Sequence, residues 1–185
     1  MRTTVERAGK VARRKKGLII VHTGNGKGKT TAALGLSMRA CGNGMKVIML
    51  QFFKGRWKCG ELRIASKLGS FELYPMGKGF TWESKDIEID KAMVMDAWTA
   101  AKEKILSGNY GVVVLDEINY ALSYGFLPVA EVVDFLRNKP PMLHVVLTGR
   151  NAKPEIIEIA DLVTEMQQIK HPFQQGICAQ RGVEF

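Results

Sequence analysis

GLIIVHTGNGKGKTTAALGL, residues Gly17 to Leu36, runs from an apolar stretch through a glycine-rich turn into an alanine-rich stretch. Gly17–His22 reads as a buried strand. Lys29–Cys41 reads as a helix, with Ala32, Ala33, Leu36 and Ala40 on its inner side and Gly42, Asn43 and Gly44 as its stop. A strand that passes through glycines straight into a helix brings free backbone N–H groups and the positive end of the helix dipole to one place. That place suits a polyanion.

The turn itself, Thr23–Thr31, has the composition of a P-loop. Gly24, Gly26 and Gly28 let N–H groups converge without side-chain clashes. Lys29 adds an ammonium beside the phosphates, and Thr30 a hydroxyl for a divalent metal. Thr23 stands where the usual pattern has glycine, and Lys27 is an additional lysine. The expected ligand is the triphosphate of ATP with its metal, held by Asn25, Gly26, Lys27, Gly28, Lys29, Thr30 and Thr31. His22 is a further candidate for the triphosphate, with a packed, hydrogen-bonded histidine as the alternative.

Working outward, the matching acidic partner is VVVLDE, residues 112–117. Asp116 and Glu117 follow four apolar residues at the C-terminal end of a strand, where ligands of α/β proteins bind. Both are candidate metal ligands, Glu117 the preferred one; a salt bridge and a cap on the next turn are the alternative. Further strands are expected at Lys46–Leu50, Phe71–Tyr74, Leu143–Leu147 and Leu162–Ile169. Helices are expected at Glu61–Leu68, Asp86–Leu106, 129–137 after Pro128, and Pro154–Ile159. In the longest helix Ile89, Met93, Ala97, Ala100 and Ile105 form the expected inner face. The tail from His171 to Phe185 reads as extended over the surface. Alternating strands and helices predict a three-layer α/β/α fold with a mostly parallel sheet covered on both faces. The two strands between phosphate strand and acidic strand lean toward the RecA-like branch of P-loop NTPase folds.

Length and charge narrow the options. The 185 residues suit one domain, 17–185, behind a basic arm, 1–16. The arm holds seven basic residues against Glu6 alone, a net +6 of the chain's +9. Such an arm fits nucleic acid, a membrane surface or an anionic ligand, or is simply solvated; the preferred reading is a flap near a polyanionic site. No apolar run has the length of a membrane span or the layout of a secretory signal. Cys41, Cys59 and Cys178 have no paired spacing and read as reduced thiols of a cytoplasmic protein.

Two loops mix aromatic and basic residues. KGRWKCGE, 54–61, places Lys54, Arg56 and Lys58 around Trp57, and GKGFTWE, 77–83, sets Phe80 two residues from Trp82. If extended, those two rings share a face. They fit a large flat or apolar second ligand, stacked nucleic-acid bases, or packing on the domain's own helices. On residues alone, a RecA-like ATPase acting on nucleic acid and a small-molecule kinase both remain open.

From Gly17 to Phe185 the sequence resembles the P-loop type of corrinoid adenosyltransferases. The resemblance rests on TGNGKGKTT at 23–31, QFFKG-WK-GE at 51–61, GKGFTWE at 77–83, LDEINYAL at 115–122, LTGR at 147–150, HPF at 171–173 and GICAQRGVEF at 176–185. It implies that the cobalt of a Co(I) corrinoid, cobalamin or cob(I)yrinic acid a,c-diamide, attacks the 5′ carbon of ATP and that inorganic triphosphate leaves. No side-chain nucleophile is needed. By the same resemblance Lys29 and Thr30 are the P-loop pair, Asp116 and Glu117 the acidic pair of a Mg2+ site that also accepts Mn2+, and Phe80 and Trp82 the corrinoid-side residues that displace the lower cobalt ligand. Arg150 is placed near the nucleotide, with a strand-end salt bridge as the competing reading. The resemblance further implies a homodimer, an arm covering the corrinoid with Arg7, Arg13 and Arg14 as contacts, and a reduced flavoprotein as electron donor. It implies no membrane and no nucleic-acid partner, in cobalamin biosynthesis or salvage.

Overall fold

The computed structural model describes residues 15–55, 60–79 and 87–184. Six strands, β1 (Ile19–Thr23), β2 (Val47–Gln51), β3 (Phe71–Pro75), β4 (Val112–Asp116), β5 (His144–Thr148) and β6 (Leu162–Glu165), form one sheet. Their order is β3-β2-β4-β5-β1-β6 and every pairing is parallel. One strand, β5, separates the phosphate strand from the acidic strand. That is the RecA-like arrangement expected from the sequence.

The helices are α1 (Lys29–Gly42), α2 (Gly60–Ala65), α3 (Ile87–Leu106), α4 (Ile118–Ser123), α5 (Val129–Arg137) and α6 (Pro154–Ile159). Strand alternation sends Ile19, Val21, Ile48, Leu50, Val113 and Val145 to one face, where residues of α3, α4, α5 and α6 meet them. Ile20, Val47, Met49, Val114 and Val146 point the other way, onto residues of α1 and α2. The three layers follow from this two-residue period in strands too apolar to leave either face wet. Among the described residues no helix is long and apolar enough to cross a membrane.

Four expectations need correction. α3 buries Val94, Ala97, Trp98, Ala101 and Ile105, whereas Ile89 is exposed and Met93 and Ala100 only half-buried. The inner face is set by Trp98, whose ring packs edge-on against Phe135 at 5.3 Å and whose Nε1 donates to Glu131 at 2.9 Å. A bulky ring with a polar handle turned the helix about its axis. In α1 the fully buried positions are Ala33, Ser37 and Ala40, with Ala32 and Leu36 half-buried. α2 ends at Ala65, short of Leu68. Finally, β6 spans only Leu162–Glu165 and all four of its residues are exposed, so the sheet is not covered on both faces at this edge. The tail is exposed as expected but includes a 3-10 turn at Pro172–Gln175.

The phosphate loop is wedged against the chain that leaves β6. A Cβ on Gly24 would sit 2.5 Å from the Met166 carbonyl oxygen, and its φ of +91 disfavours any L side chain. The Gly26 N–H donates to the same carbonyl at 2.6 Å. Gly35, by contrast, lies in α1 with open space around it. Gly24→Ala is therefore expected to lower stability by about 1–3 kcal/mol, and Gly35→Ala to raise it by about 0.5–1 kcal/mol. Denaturant titration measures both; a Gly24→Ala protein as stable as the wild type contradicts the wedge.

Candidate nucleotide and metal site

Where β1 ends, Thr23 turns its hydroxyl to accept the Ala152 N–H at 3.2 Å, and the chain swings through Gly24–Gly28 into α1. Gly28, at φ 108, closes the turn as the residue before the helix. α1 has no acidic residue in its first turn, so its positive end is not neutralised from within. Asn25 and Lys27 are exposed, Gly26 is buried, and Gly28, Lys29 and Thr30 are half-buried at the mouth. Thr31 is exposed on the outer side of the helix.

The Lys29 ammonium folds back over its own loop, donating to the Gly24 carbonyl at 2.8 Å and the Gly26 carbonyl at 2.6 Å. Burial and the neighbouring Arg150 charge lower its pKa, while Glu117 opposes them. Two cations and a carboxylate thus share the mouth. Arg150 is exposed there and also influences Tyr120. Lys27 points elsewhere: it forms an ion pair with Glu184, bringing the tail against the loop.

Asp116 is fully buried at the end of β4. Its Oδ1 accepts from the Thr30 hydroxyl at 2.9 Å and the Thr148 hydroxyl at 2.6 Å, and its Oδ2 from Gln51 Nε2 at 3.0 Å. The Lys54 ammonium lies 3.9 Å from Oδ2. A carboxylate so occupied orients its neighbours. Glu117 differs. Its backbone sits in the left-handed region at φ 68, held by its N–H donating to the Thr148 hydroxyl at 2.8 Å. A non-glycine residue in this region has a conformational cost that the surroundings must sustain. Its carboxyl is pushed up to about 7, first by burial and then by Asp116, with Lys54 and Lys29 pulling the other way. Among the described residues no hydrogen-bond donor reaches that carboxylate. The oxygens open to a cation are thus the Thr30 hydroxyl and the Glu117 carboxylate, with the saturated Asp116 behind them, all hard donors. Mg2+ is commonly held by one or two side chains together with substrate phosphates, and this set fits it.

His22 is buried beneath the loop on the α1 face, with neither ring nitrogen hydrogen-bonded, and burial lowers its pKa. Of the alternative reading, a packed and hydrogen-bonded histidine, the structure has the packing but no hydrogen bond among the described residues. Phe80 and Trp82 lie outside the described residues, as do residues 1–14 of the arm, with Arg7, Arg13 and Arg14, and residues Arg56, Trp57, Lys58 and Cys59.

Three participants escaped sequence reading. Gln51 and Thr148 close apolar strands at their C-terminal ends, and Lys54 directly follows the buried pair Phe52 and Phe53. A polar residue ending a buried parallel strand is a legible signal for this rim. The fourth feature is a ring cluster: Phe53 meets Tyr120 at 6.3 Å, Tyr124 at 6.4 Å and Phe126 at 6.5 Å. Phe53 and Phe126 are buried in the core, Tyr120 is half-buried and Tyr124 is half exposed, so Tyr124 forms the exposed edge of this cluster.

A family model described as ATP:corrinoid adenosyltransferase BtuR/CobO/CobP matches residues 15–185. A corrinoid adenosyltransferase of Sinorhizobium sp. is 54% identical, covering 92% of this chain and 81% of its own length. Its counterpart in Pseudomonas aeruginosa is 46% identical over 94% of this chain and 86% of its own. The corrinoid adenosyltransferase of Escherichia coli K12 is 42% identical over 94% and 88%. The crystal structure of the flagellar accessory protein FlaH from Methanocaldococcus jannaschii superposes with a TM-score of 0.53 at 15% identity, covering 80% of this chain and 70% of that one, a likeness of fold alone. Taken with the P-loop and its acidic strand, the match across nearly the whole described chain has one meaning: the protein belongs to the ATP:corrinoid adenosyltransferase family.

Proposed function

We propose that this protein transfers the 5′-deoxyadenosyl group of ATP to the Co(I) of a corrinoid, with cobalamin or cob(I)yrinic acid a,c-diamide as the acceptor. Cobalt supplies the electron pair of the new Co–C5′ bond. The C5′–O bond breaks, its pair leaves with inorganic triphosphate, and cobalt is formally oxidised from Co(I) to Co(III). The observation that carries this reading is the assembly of Lys29, Thr30, Asp116 and Glu117 around one loop mouth in a chain of this family.

Triphosphate is a leaving group of high charge, so the protein's task is neutralisation and alignment. Asn25, Gly28 and Thr31 belong to the cradle of backbone donors, Gly26 shapes its turn with its own N–H held by the Met166 carbonyl, and Lys27 is a rim cation once it parts from Glu184. Lys29 swings from its loop carbonyls to the phosphates. Thr30 and Glu117 hold Mg2+, or Mn2+ in its place, while Asp116 fixes the Thr30 hydroxyl. The metal supplies charge neutralisation to the departing oxygens. Arg150 adds a second positive charge at the mouth. Phe80 and Trp82 form the corrinoid side, excluding the lower axial ligand so that reduction to Co(I) becomes easier. A reduced flavoprotein is the electron source, the active form is a homodimer, and the arm at residues 1–16 covers the corrinoid through Arg7, Arg13 and Arg14. The setting is the cytoplasm.

Incubation with MgATP and chemically reduced corrinoid should remove the Co(I) absorption and yield one inorganic triphosphate per Co–C bond. ADP and phosphate without a Co–C bond refute the assignment. Lys29→Ala should weaken MgATP binding by about 100-fold in titration calorimetry, the loss of a charge-assisted contact at a polyanion; unchanged affinity removes the loop from the site.

Glu117 gives a pH test. Its folded pKa lies above the ordinary 4.5, so in the protein without ligand its contribution to stability is complete below that value and is lost as pH rises through about 7. Glu117→Gln removes the ionisation. Its stability relative to wild type should therefore improve by about 1–3 kcal/mol, a few degrees in Tm, between about pH 5 and pH 8. A Tm difference independent of pH shows that Glu117 ionises freely.

A further inference from the structure

The loop after β2 touches every part of the site at once. Gln51 donates to Asp116, and the Phe52 N–H donates to the Asp116 carbonyl at 3.1 Å. Phe53 anchors the ring cluster with Tyr120, Tyr124 and Phe126. The Phe53 and Lys54 carbonyls accept the N–H groups of Gly79 at 3.2 Å and Gly77 at 3.0 Å. This contact is close: a Cβ on Gly77 would lie 2.5 Å from the Phe53 carbonyl. The Lys54 ammonium joins the loop to the carboxylates, 3.0 Å from Glu61 Oε1 and 3.9 Å from Asp116 Oδ2, with its side chain only 28% exposed. Burial disfavours the charge, yet Asp116, Glu61 and Glu117 outweigh it and the pKa is raised.

We propose that Lys54 is a positioning residue that sets the corrinoid-facing surface in register with the nucleotide pole: its ammonium, paired with Glu61 and 3.9 Å from Asp116, fixes the loop whose buried Phe53 backs the Tyr120 and Tyr124 rings and props the stretch Met76–Gly79. The inference rests on the adenosyltransferase reading above. An in-line attack needs cobalt and C5′ aligned to a fraction of an ångström, and each reactant is held by a different part of the chain. Lys54 is where the two parts meet through charge, and the backbone bonds to Gly77 and Gly79 carry that fixed position onward. The partial burial of this lysine is offset by the two carboxylates beside it. Its nearest partners are Glu61 and Asp116.

The test compares wild type, Lys54→Met and Lys54→Arg as full-length proteins. Titration calorimetry gives the MgATP Kd, and steady-state assays with chemically reduced corrinoid give KM and kcat for that substrate. The Met variant should raise the corrinoid KM by about tenfold or more while the MgATP Kd stays within about threefold, and the Arg variant should recover most of the loss. Hydrogen exchange on the Met variant should quicken at the Gly77 and Gly79 amides and leave the β1 amides unchanged. A merely structural lysine would not split the two substrates in this way. Equal losses in MgATP affinity and corrinoid KM make Lys54 a phosphate ligand and overturn the proposal, as does wild-type behaviour of the Met variant. A wild type that forms no Co–C bond removes the adenosyltransferase reading itself, and this inference with it.

Discussion

Asp116 is the point on which the site turns. A carboxylate with no exposed surface would be costly in an apolar sheet unless its oxygens were met by donors. Here they are met by Thr30 from the start of α1, Thr148 from the end of β5 and Gln51 from the end of β2. One buried charge thereby ties the phosphate loop to three strand ends. Thr148 extends the tie, since its hydroxyl also receives the Glu117 N–H and so holds the left-handed turn that aims Glu117 at the mouth. The two adjacent carboxylates differ by environment: Asp116 is saturated and orders the frame, and Glu117, raised by burial and by its neighbour, accepts no hydrogen bond on its carboxylate among the described residues.

Much of this was legible because it is local. The strand–loop–helix from Ile19 to Gly42, the acidic end of β4 and the Pro128 start of α5 rest on short-range patterns, and the structure has them within a residue or two. Site features that depend on distant partners were not. Thr30 meets Asp116 across 86 residues, Gln51 across 65, and Thr148 across 32. No periodicity announces which polar strand end will face which carboxylate. The inner face of α3 failed for a related reason: Ile89 and Ala100 fit the helical period, but Trp98 had more surface to bury and a hydrogen bond to find on α5. The exposure of β6 reflects its edge position beyond β1, something strand order alone decides.

The ring cluster around Phe53 is built onto a common nucleotide-binding frame. Phosphate loop and acidic strand are general features of P-loop folds. What is particular lies on the other side of Asp116, where Phe53, Tyr120, Tyr124 and Phe126 form an aromatic cluster and Gly77 allows a second loop to lie against the first. Polyanion and flat apolar partner need opposite surroundings. The sites proposed for the two lie on either side of Asp116, with Lys54 between.

Strand order also carries a consequence for how the molecule is assembled. β1 is the earliest strand in the sequence, yet it lies between β5 and β6, its Ile20 opposite Val146 on one side and Leu162 on the other. Both neighbours are more than a hundred residues downstream, so the entropy of closing those long loops must be met before β1 has any ladder at all. The glycine turn at its end leans on Met166, later still. The nucleotide cradle is thus among the first segments to be synthesised and among the last to acquire its shape. A nascent chain has no competent phosphate loop until nearly the whole domain is available to fold around it.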